Sequence, residues 1–209
     1  MLCDGIHPCF EVSPLAQLGD ALDMRLPNAS ALALVHFDAH CDTWSDHFGE
    51  PSGHGTWTYE AIQEGLVSPR HTVQIGLRSS GARAARQYVA DQGGLIFTAR
   101  QMRGLDGPAL NPLITQVRER LGTMPVYLTL DIDCLDPAFA PGTGTPEPGG
   151  LTSSQLMTWL EALVTLQCVA MDCVEVAPAY DHAELTSHAA ATMVWTYLSG
   201  QVAKRLAAG

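Results

Sequence analysis

The chain has 209 residues, of which 46% are hydrophobic and 16% charged, a balance that indicates a folded protein with an apolar core and argues against disorder. Eleven Lys and Arg against 22 Asp and Glu give a formal net charge of −11, which disfavours nucleic acid and anionic membranes as partners and weakly favours cationic small molecules. Met1–Phe10 lacks the pattern of a signal peptide, no apolar stretch could cross a bilayer, and the six cysteines form no C-x-x-C pair. We therefore expect a cytoplasmic protein with reduced thiols and no membrane partner.

The first thirty residues differ from the rest of the chain. They contain no convincing strand, and Pro8, Pro14 and Pro27 break any long helix. We therefore predict an atypical N-terminal segment over residues 1–30 and an α/β domain over residues 31–209.

From residue 31 onwards, short apolar runs alternate with helix-like segments. The predicted strands are Ala31–Phe37, Thr72–Leu77, Leu95–Phe97, Val126–Leu130 and Cys168–Val176. The predicted helices are Thr56–Leu66, Ala82–Gln92, Pro112–Leu121, Thr152–Leu166 and a long final helix from Ala183 to about Leu206. Strands that are apolar on both faces are typical of a parallel sheet covered by helices on each side. The alternation predicts a three-layer αβα fold with a mainly parallel sheet.

Acidic residues and a histidine follow two of the predicted strands. Asp38, His40 and Asp42 come after the first strand at a spacing of two, and Asp131 and Asp133 end the fourth. Residues two apart in an extended chain share a face, and the carboxyl ends of parallel strands are where open α/β sheets bind ligands. An Asp at a strand end is more often a cap or turn residue, but four carboxylates that converge without a cation would repel one another. The pattern favours a site for Mn²⁺ or Mg²⁺, which prefer oxygen-rich ligand sets.

Three strings carry a resemblance to a known family. They are LALVHFDAHCDTW from residue 32, PVYLTLDIDCLDPAFAPGTGTPEPGGLT from residue 125 and MDCVEVAPAYDHAELT from residue 171. The chain from about residue 32 to its carboxyl end resembles the agmatinase branch of the arginase–agmatinase ureohydrolases. The resemblance implies an arginase-like α/β domain with two Mn²⁺ ions and a shared hydroxide that attacks a guanidinium carbon and releases urea.

Matching positions imply roles for the site residues. Asp38 and Asp131 would bridge the two ions, and His40 and Asp133 would complete one site. Asp42 would bind the other ion and hydrogen-bond the hydroxide. His54, in the string GHGTW, would lie near the substrate and transfer protons, and Glu175 would pair with the guanidinium. Without the resemblance, His54 would read as a solvated loop histidine and Glu175 as one half of an ion pair. His36, by contrast, is interpreted as a buried core histidine and not as a ligand.

The sequence also departs from the family pattern. Complete members carry a further metal-binding histidine upstream, in a G-G-D-H string that is absent here. We therefore expect a truncated domain without the N-terminal strands, in which the family strands four to eight lie in the order 8-7-4-5-6. The strand Cys168–Val176, which contains Glu175, would then be left at an open edge. We also expect one Mn²⁺ to be held more tightly than the second.

Three functions remain open at this point. The first is Mn²⁺-dependent hydrolysis of a guanidino compound, most simply agmatine to putrescine and urea, with a guanidino acid as an alternative substrate. The second is a catalytically impaired homologue that binds at most one ion. The third is a shortened subunit that docks on a longer homologue. Under the first hypothesis, we expect a homo-oligomer instead.

Overall fold

The computed structural model describes residues 31–209, and the expectations for residues 1–30 lie outside the described residues. Five strands are present: β1 (Leu32–Phe37), β2 (Val67–Leu77), β3 (Leu95–Thr98), β4 (Pro125–Asp131) and β5 (Gln167–Val174). The α-helices are α1 (Trp57–Gln63), α2 (Arg83–Arg86), α3 (Tyr88–Asp91), α4 (Ala99–Met102), α5 (Asn111–Leu121), α6 (Ser153–Leu163) and α7 (Leu185–Ala208). Three short 3₁₀ helices cover Gly107–Leu110, Ile132–Cys134 and Pro178–Tyr180.

The five strands form one sheet in the order β3-β2-β1-β4-β5, and all four neighbouring pairs are parallel. The predicted strand order is therefore confirmed within the described part of the chain. The central strand β1 is buried along its whole length, as expected for a strand that has neighbours on both edges and helices on both faces.

Helices cover both faces of the sheet. On one face, Val35 and Phe37 of β1 pack in a large apolar core that includes Trp159 of α6. On the other face, Leu34 belongs to a smaller core that includes Ala61 of α1. Successive residues of β1 therefore point to opposite helical layers, and the predicted three-layer αβα architecture is confirmed.

Several boundaries differ from the sequence-based prediction. Strand β2 begins at Val67, five residues before the predicted start, and its pairing with β1 shifts register between Leu32 and Leu34. The predicted helix over Ala82–Gln92 is two short helices, because Gln87 between them leaves the helical conformation. A capping box begins α6, with the side chains of Thr152 and Gln155 each accepting from the other's backbone N–H.

Strand β5 lies at one edge of the sheet. Val169 and Val174 of this strand are exposed, as are five apolar side chains along α7, namely Leu185, Trp195, Leu198, Val202 and Leu206. The expected apolar edge is therefore present in the described part of the chain. Among residues 31–209, no helix is both long and apolar enough to span a membrane, and the four cysteines of this range are unpaired.

Candidate metal centre

The predicted site residues meet at the carboxyl edge of the sheet. Asp38 follows the last residue of β1, Asp131 is the last residue of β4, and Glu175 follows the last residue of β5. Because β1, β4 and β5 are adjacent parallel strands, these three positions are brought side by side. The sheet therefore places residues that are more than 130 positions apart around one small volume.

His40 lies between two carboxylates. Its Nδ1 atom is 3.0 Å from Oδ2 of Asp133 and 3.3 Å from Oδ1 of Asp38. The backbone holds both carboxylates, since the N–H of Ala39 donates to Asp133 Oδ1 at 3.0 Å and the N–H of His40 donates to Asp38 Oδ1 at 2.6 Å. Asp38, His40 and Asp133 each offer a ligand atom within 4.8 Å of the other two, which suits a single metal ion.

Asp42 and Asp131 add negative charge beside this group. Burial raises the pKa of both carboxyls, and the nearby charge of Asp38 raises it further. Asp133 lies close enough to Asp131 to contribute to the same effect. Burial and mutual repulsion therefore both disfavour the charged forms of these carboxyls, and a divalent cation would relieve the repulsion.

The two neighbouring carboxylates favour the charged form of His40. Burial disfavours its charged form, but the hydrogen bonds to Asp133 and Asp38 outweigh this penalty and raise the pKa of His40 to about 10. Asp38 accepts hydrogen bonds from both His36 and His40, and these interactions hold its pKa below the ordinary value despite its burial. The cluster is therefore organised to surround positive charge.

A second pair of predicted residues lies beside the cluster. Nδ1 of His54, on the loop between β1 and α1, is 2.7 Å from Oε1 of Glu175. Their hydrogen bond is the main cause that raises the pKa of His54. The His54 side chain is 75% exposed and that of Glu175 is 31% exposed, so the pair is open to solvent. The charge of Glu175 is also close enough to raise the pKa of Asp131, which links the pair to the carboxylate cluster.

Two predicted site residues have a backbone conformation that side chains disfavour. Asp42 has φ of 51° and Glu175 has φ of 62°, both in the left-handed region. Such conformations cost about 1–3 kcal/mol each and persist where the surrounding structure enforces them. Their presence at two positions of one site fits a site whose side-chain directions matter more than local stability.

Sequence reasoning missed residues that hold the site together. Trp57, the first residue of α1, donates from Nε1 to Oδ2 of Asp42 at 2.7 Å. Arg78 follows the last residue of β2, and its half-buried guanidinium ties this strand end to the loop after β4. Its partners are the backbone carbonyls of Gly76, Asp133, Cys134, Leu135 and Glu147. In the sequence, the one indication of this role is that Arg78 directly follows the predicted strand Thr72–Leu77.

Known proteins resemble this chain over most of its length. The agmatinase of Enterobacter sp. (strain 638) is 49% identical over 176 residues, which cover 83% of this chain and 53% of that protein. A hypothetical agmatinase from Burkholderia thailandensis superposes with a TM-score of 0.77 and 37% identity, over 90% of this chain and 56% of the other. Proclavaminate amidino hydrolase from Streptomyces clavuligerus gives a TM-score of 0.79 and 36% identity, over 91% and 61%.

Each match covers a larger share of this chain than of the relative. This chain spans about half the length of the curated relatives it matches. The sequence profile described as the Arginase family matches residues 18–199. That range includes all five strands and every predicted site residue, and the chain therefore belongs to the arginase family.

Proposed function

We propose that this chain is a Mn²⁺-dependent ureohydrolase in which Asp38, His40, Asp42, Asp131 and Asp133 hold the metal and His54 and Glu175 handle the substrate. The observation that carries the proposal is the position of the His54–Glu175 pair beside a buried carboxylate cluster at the carboxyl edge of the sheet. On this proposal the metal site and the guanidinium site are neighbours, as hydrolysis of a guanidino group requires.

The residues present fit a hard divalent cation. The proposed donor set of four carboxylates and one imidazole is oxygen-rich. Asp38 is common to the two groups of closely spaced ligand atoms found among the described residues, and neither group contains a cysteine. Burial and the nearby charge of Asp38 raise the pKa of Asp42 and Asp131, so the charged forms of both carboxyls would be favoured by a bound cation. Bound Mn²⁺ would supply Lewis acidity and lower the pKa of water at this site.

Glu175 is suited to bind the substrate. A guanidinium presents a planar fork of N–H donors that pairs with a carboxylate through two parallel hydrogen bonds. The carboxylate of Glu175 is partly exposed, so a cationic group can reach it. Gly144 of the loop after β4 lies beside it, and a Cβ at Gly144 would be 3.9 Å from Glu175 Oε2. The small residue leaves room for a flat group next to the carboxylate.

His54 is suited to move protons. Its imidazole is hydrogen-bonded to Glu175 and is also exposed to solvent, so it can exchange a proton between the site and water. Hydrolysis of agmatine consumes one water molecule and yields putrescine and urea, and the departing amine must gain a proton. We assign that transfer to His54.

Agmatine is the substrate that the relatives' names favour, since the curated relatives with 47–49% identity are called agmatinases. The net charge of −11 also favours a cationic substrate over a guanidino acid. We further propose a cytoplasmic location, no nucleic-acid partner, and assembly through the open β5 edge, either with further copies of this chain or with a longer homologue. Binding of one ion without turnover is the competing possibility.

Urea release tests the proposal. The purified chain should release urea from agmatine only when Mn²⁺ is added, and Glu175→Gln should reduce kcat/KM by at least about a hundredfold, because the charge that pairs with the guanidinium is lost. Glu161→Gln changes an exposed carboxylate of α6 and serves as the matched control. Equal kcat/KM for guanidinobutyrate would contradict the assignment of agmatine. Binding of one Mn²⁺ with no urea from any guanidino compound would favour the competing possibility.

A further inference from the structure

His36 is the buried histidine that the proposed function leaves without a role. It lies on β1 two residues before Asp38 and is 1% exposed. Its Nε2 atom is 2.8 Å from Oδ2 of Asp38 and 3.9 Å from Oδ2 of Asp42. These atoms lie within 4.8 Å of one another, so distance alone would allow His36 to be a third ligand of a metal ion.

Gln74 determines whether His36 can bind a metal ion or instead donates a hydrogen bond to Asp38. Gln74 is fully buried on β2 directly beside His36 in the parallel register. Its amide nitrogen donates to the carbonyl of Cys41 at 2.7 Å, and the same nitrogen is 3.2 Å from Nδ1 of His36. The carbonyl of Cys41 can only accept a hydrogen bond. Rotating the Gln74 amide by half a turn would place its own oxygen against the Cys41 oxygen, so the amide nitrogen must stay where it is. Nδ1 of His36 therefore faces a donor.

The tautomer of His36 follows from this contact. A ring nitrogen that accepts a hydrogen bond has no proton, so the proton of the neutral imidazole is on Nε2. Nε2–H then donates to Oδ2 of Asp38 and offers no lone pair to a metal ion. The other oxygen of Asp38 accepts the backbone N–H of His40, so both oxygens of this carboxylate are held in place.

We propose that His36 is a positioning residue whose Nε2–H, fixed by Gln74, orients the carboxylate of Asp38 for metal binding. The inference rests on the proposed function, in which Asp38 is one of the residues that would hold the metal. Three hydrogen bonds form a relay that runs from the carbonyl of Cys41 through Gln74 and His36 to Asp38. The relay connects β1 and β2 to the metal centre, and the Cys41 carbonyl fixes the direction of its donors. Partners of this kind typically change metal affinity by about 10–100-fold when removed.

Nitrogen NMR of the metal-free chain tests the relay directly. The ¹⁵N shifts of His36 should show a protonated Nε2 and an unprotonated Nδ1. In Gln74→Met the Nδ1 atom loses its donor, and the Nδ1-protonated tautomer should become populated. A proton on Nδ1 in the wild-type chain would overturn the proposal, because Nε2 would then be free to bind metal.

Mn²⁺ titration of paired variants tests the consequence. His36→Gln can still donate an N–H to Asp38, whereas His36→Met cannot, so His36→Met should lose affinity by about tenfold or more and His36→Gln should retain most of it. Equal losses of affinity in the two variants would overturn the donor role. They would indicate that the imidazole of His36 binds the metal itself, because an amide is a poor substitute for an imidazole ligand.

A matched control separates positioning from simple structural damage. The amide of Gln155, like that of Gln74, is buried and donates to two sites, the carbonyls of Met102 and Leu105, but it lies away from the metal centre. Gln155→Met and Gln74→Met should both lower thermal stability, and only Gln74→Met should lower Mn²⁺ affinity. If both lower it equally, the relay has no specific role. Absence of Mn²⁺ binding to the wild-type chain would contradict the proposed function and with it the metal-orienting role, whereas the nitrogen spectrum would show whether the relay itself exists.

Discussion

The Nδ1 atom of His54 lies 2.7 Å from Oε1 of Glu175, although the two residues are 121 positions apart in the sequence. The contact joins the loop before α1 to the end of β5, two strands away from β1 in the sheet. It gives the site one group that can exchange protons with solvent and one that can pair with a cation.

The first prediction concerns the charge of His54. Its hydrogen bond to Glu175 raises the pKa of His54 above the ordinary value of 6.5. Because the folded-state pKa is the higher one, the stabilisation from this pair is complete below about pH 6.5 and is lost as the pH rises through the folded-state pKa. An NMR titration should find the raised pKa in the wild-type chain and a value near 6.5 in Glu175→Gln. An unchanged pKa in the variant would contradict the contact.

The second prediction concerns repulsion among the carboxylates. Asp42→Asn removes one negative charge from the cluster, and the new amide oxygen can still accept from Trp57. Asn also tolerates the left-handed backbone at this position. The metal-free variant should therefore be more stable than the wild type by about 0.5–2 kcal/mol, as is common when a functional site is relaxed.

Thermal unfolding with and without Mn²⁺ measures this effect. Added Mn²⁺ should raise the Tm of the wild-type chain and raise that of Asp42→Asn much less, because a ligand stabilises only the state that binds it. Asp106→Asn, an exposed carboxylate at the start of a 3₁₀ helix, is the control and should not alter the Mn²⁺ response. Lower stability of metal-free Asp42→Asn would argue against repulsion at this site.

The third prediction concerns Arg78. Arg78→Met leaves several backbone carbonyls without a donor, so it should cost about 2–4 kcal/mol of stability. It should also weaken Mn²⁺ binding, because the carbonyl of Asp133 is one of those released. Arg118→Met is the matched control, since the guanidinium of Arg118 is exposed and contacts the single carbonyl of Ala162. Chemical denaturation and Mn²⁺ titration of both variants would measure the two effects.

The fourth prediction concerns Gly76 of β2. It has φ of 107°, and a Cβ at this position would lie 2.9 Å from the carbonyl oxygen of Asp38. Gly76→Ala should therefore be destabilising by about 1–3 kcal/mol and should displace the chain next to Asp38. Gly65 also has positive φ, but a Cβ there meets no atom within 4 Å. Gly65→Ala should consequently cost less, and equal losses would show that the clash is unimportant.

Much of the fold could be predicted from the sequence because its strands are apolar on both faces. Such runs mark buried parallel strands, and β1 and β4 appear within one residue of their predicted ends. The start of β2 was missed because Arg70 and His71 interrupt the apolar run that marks the rest of this strand. The strand order followed from the family resemblance and not from the pattern itself.

The candidate site was predictable where a residue's role depends on its place at a strand end. Asp38 and Asp131 are such residues, whereas the role of Glu175 was inferred from the family resemblance. The roles of Trp57 and Arg78 depend instead on contacts with residues distant in sequence, such as the 69 positions between Arg78 and Glu147. No local pattern encodes contacts of this kind, so only the folded structure reveals them.

The most direct test of the metal centre is a Mn²⁺ titration of the wild-type chain and of Asp131→Ala. The EPR signal of the free ion measures how much Mn²⁺ remains unbound at each step. Asp131 ends β4 and lies beside both Asp38 and Asp133. Our account predicts tight binding of at least one Mn²⁺ per wild-type chain and loss of that binding in the variant. Undiminished binding by a folded Asp131→Ala chain would contradict the metal centre proposed for this protein.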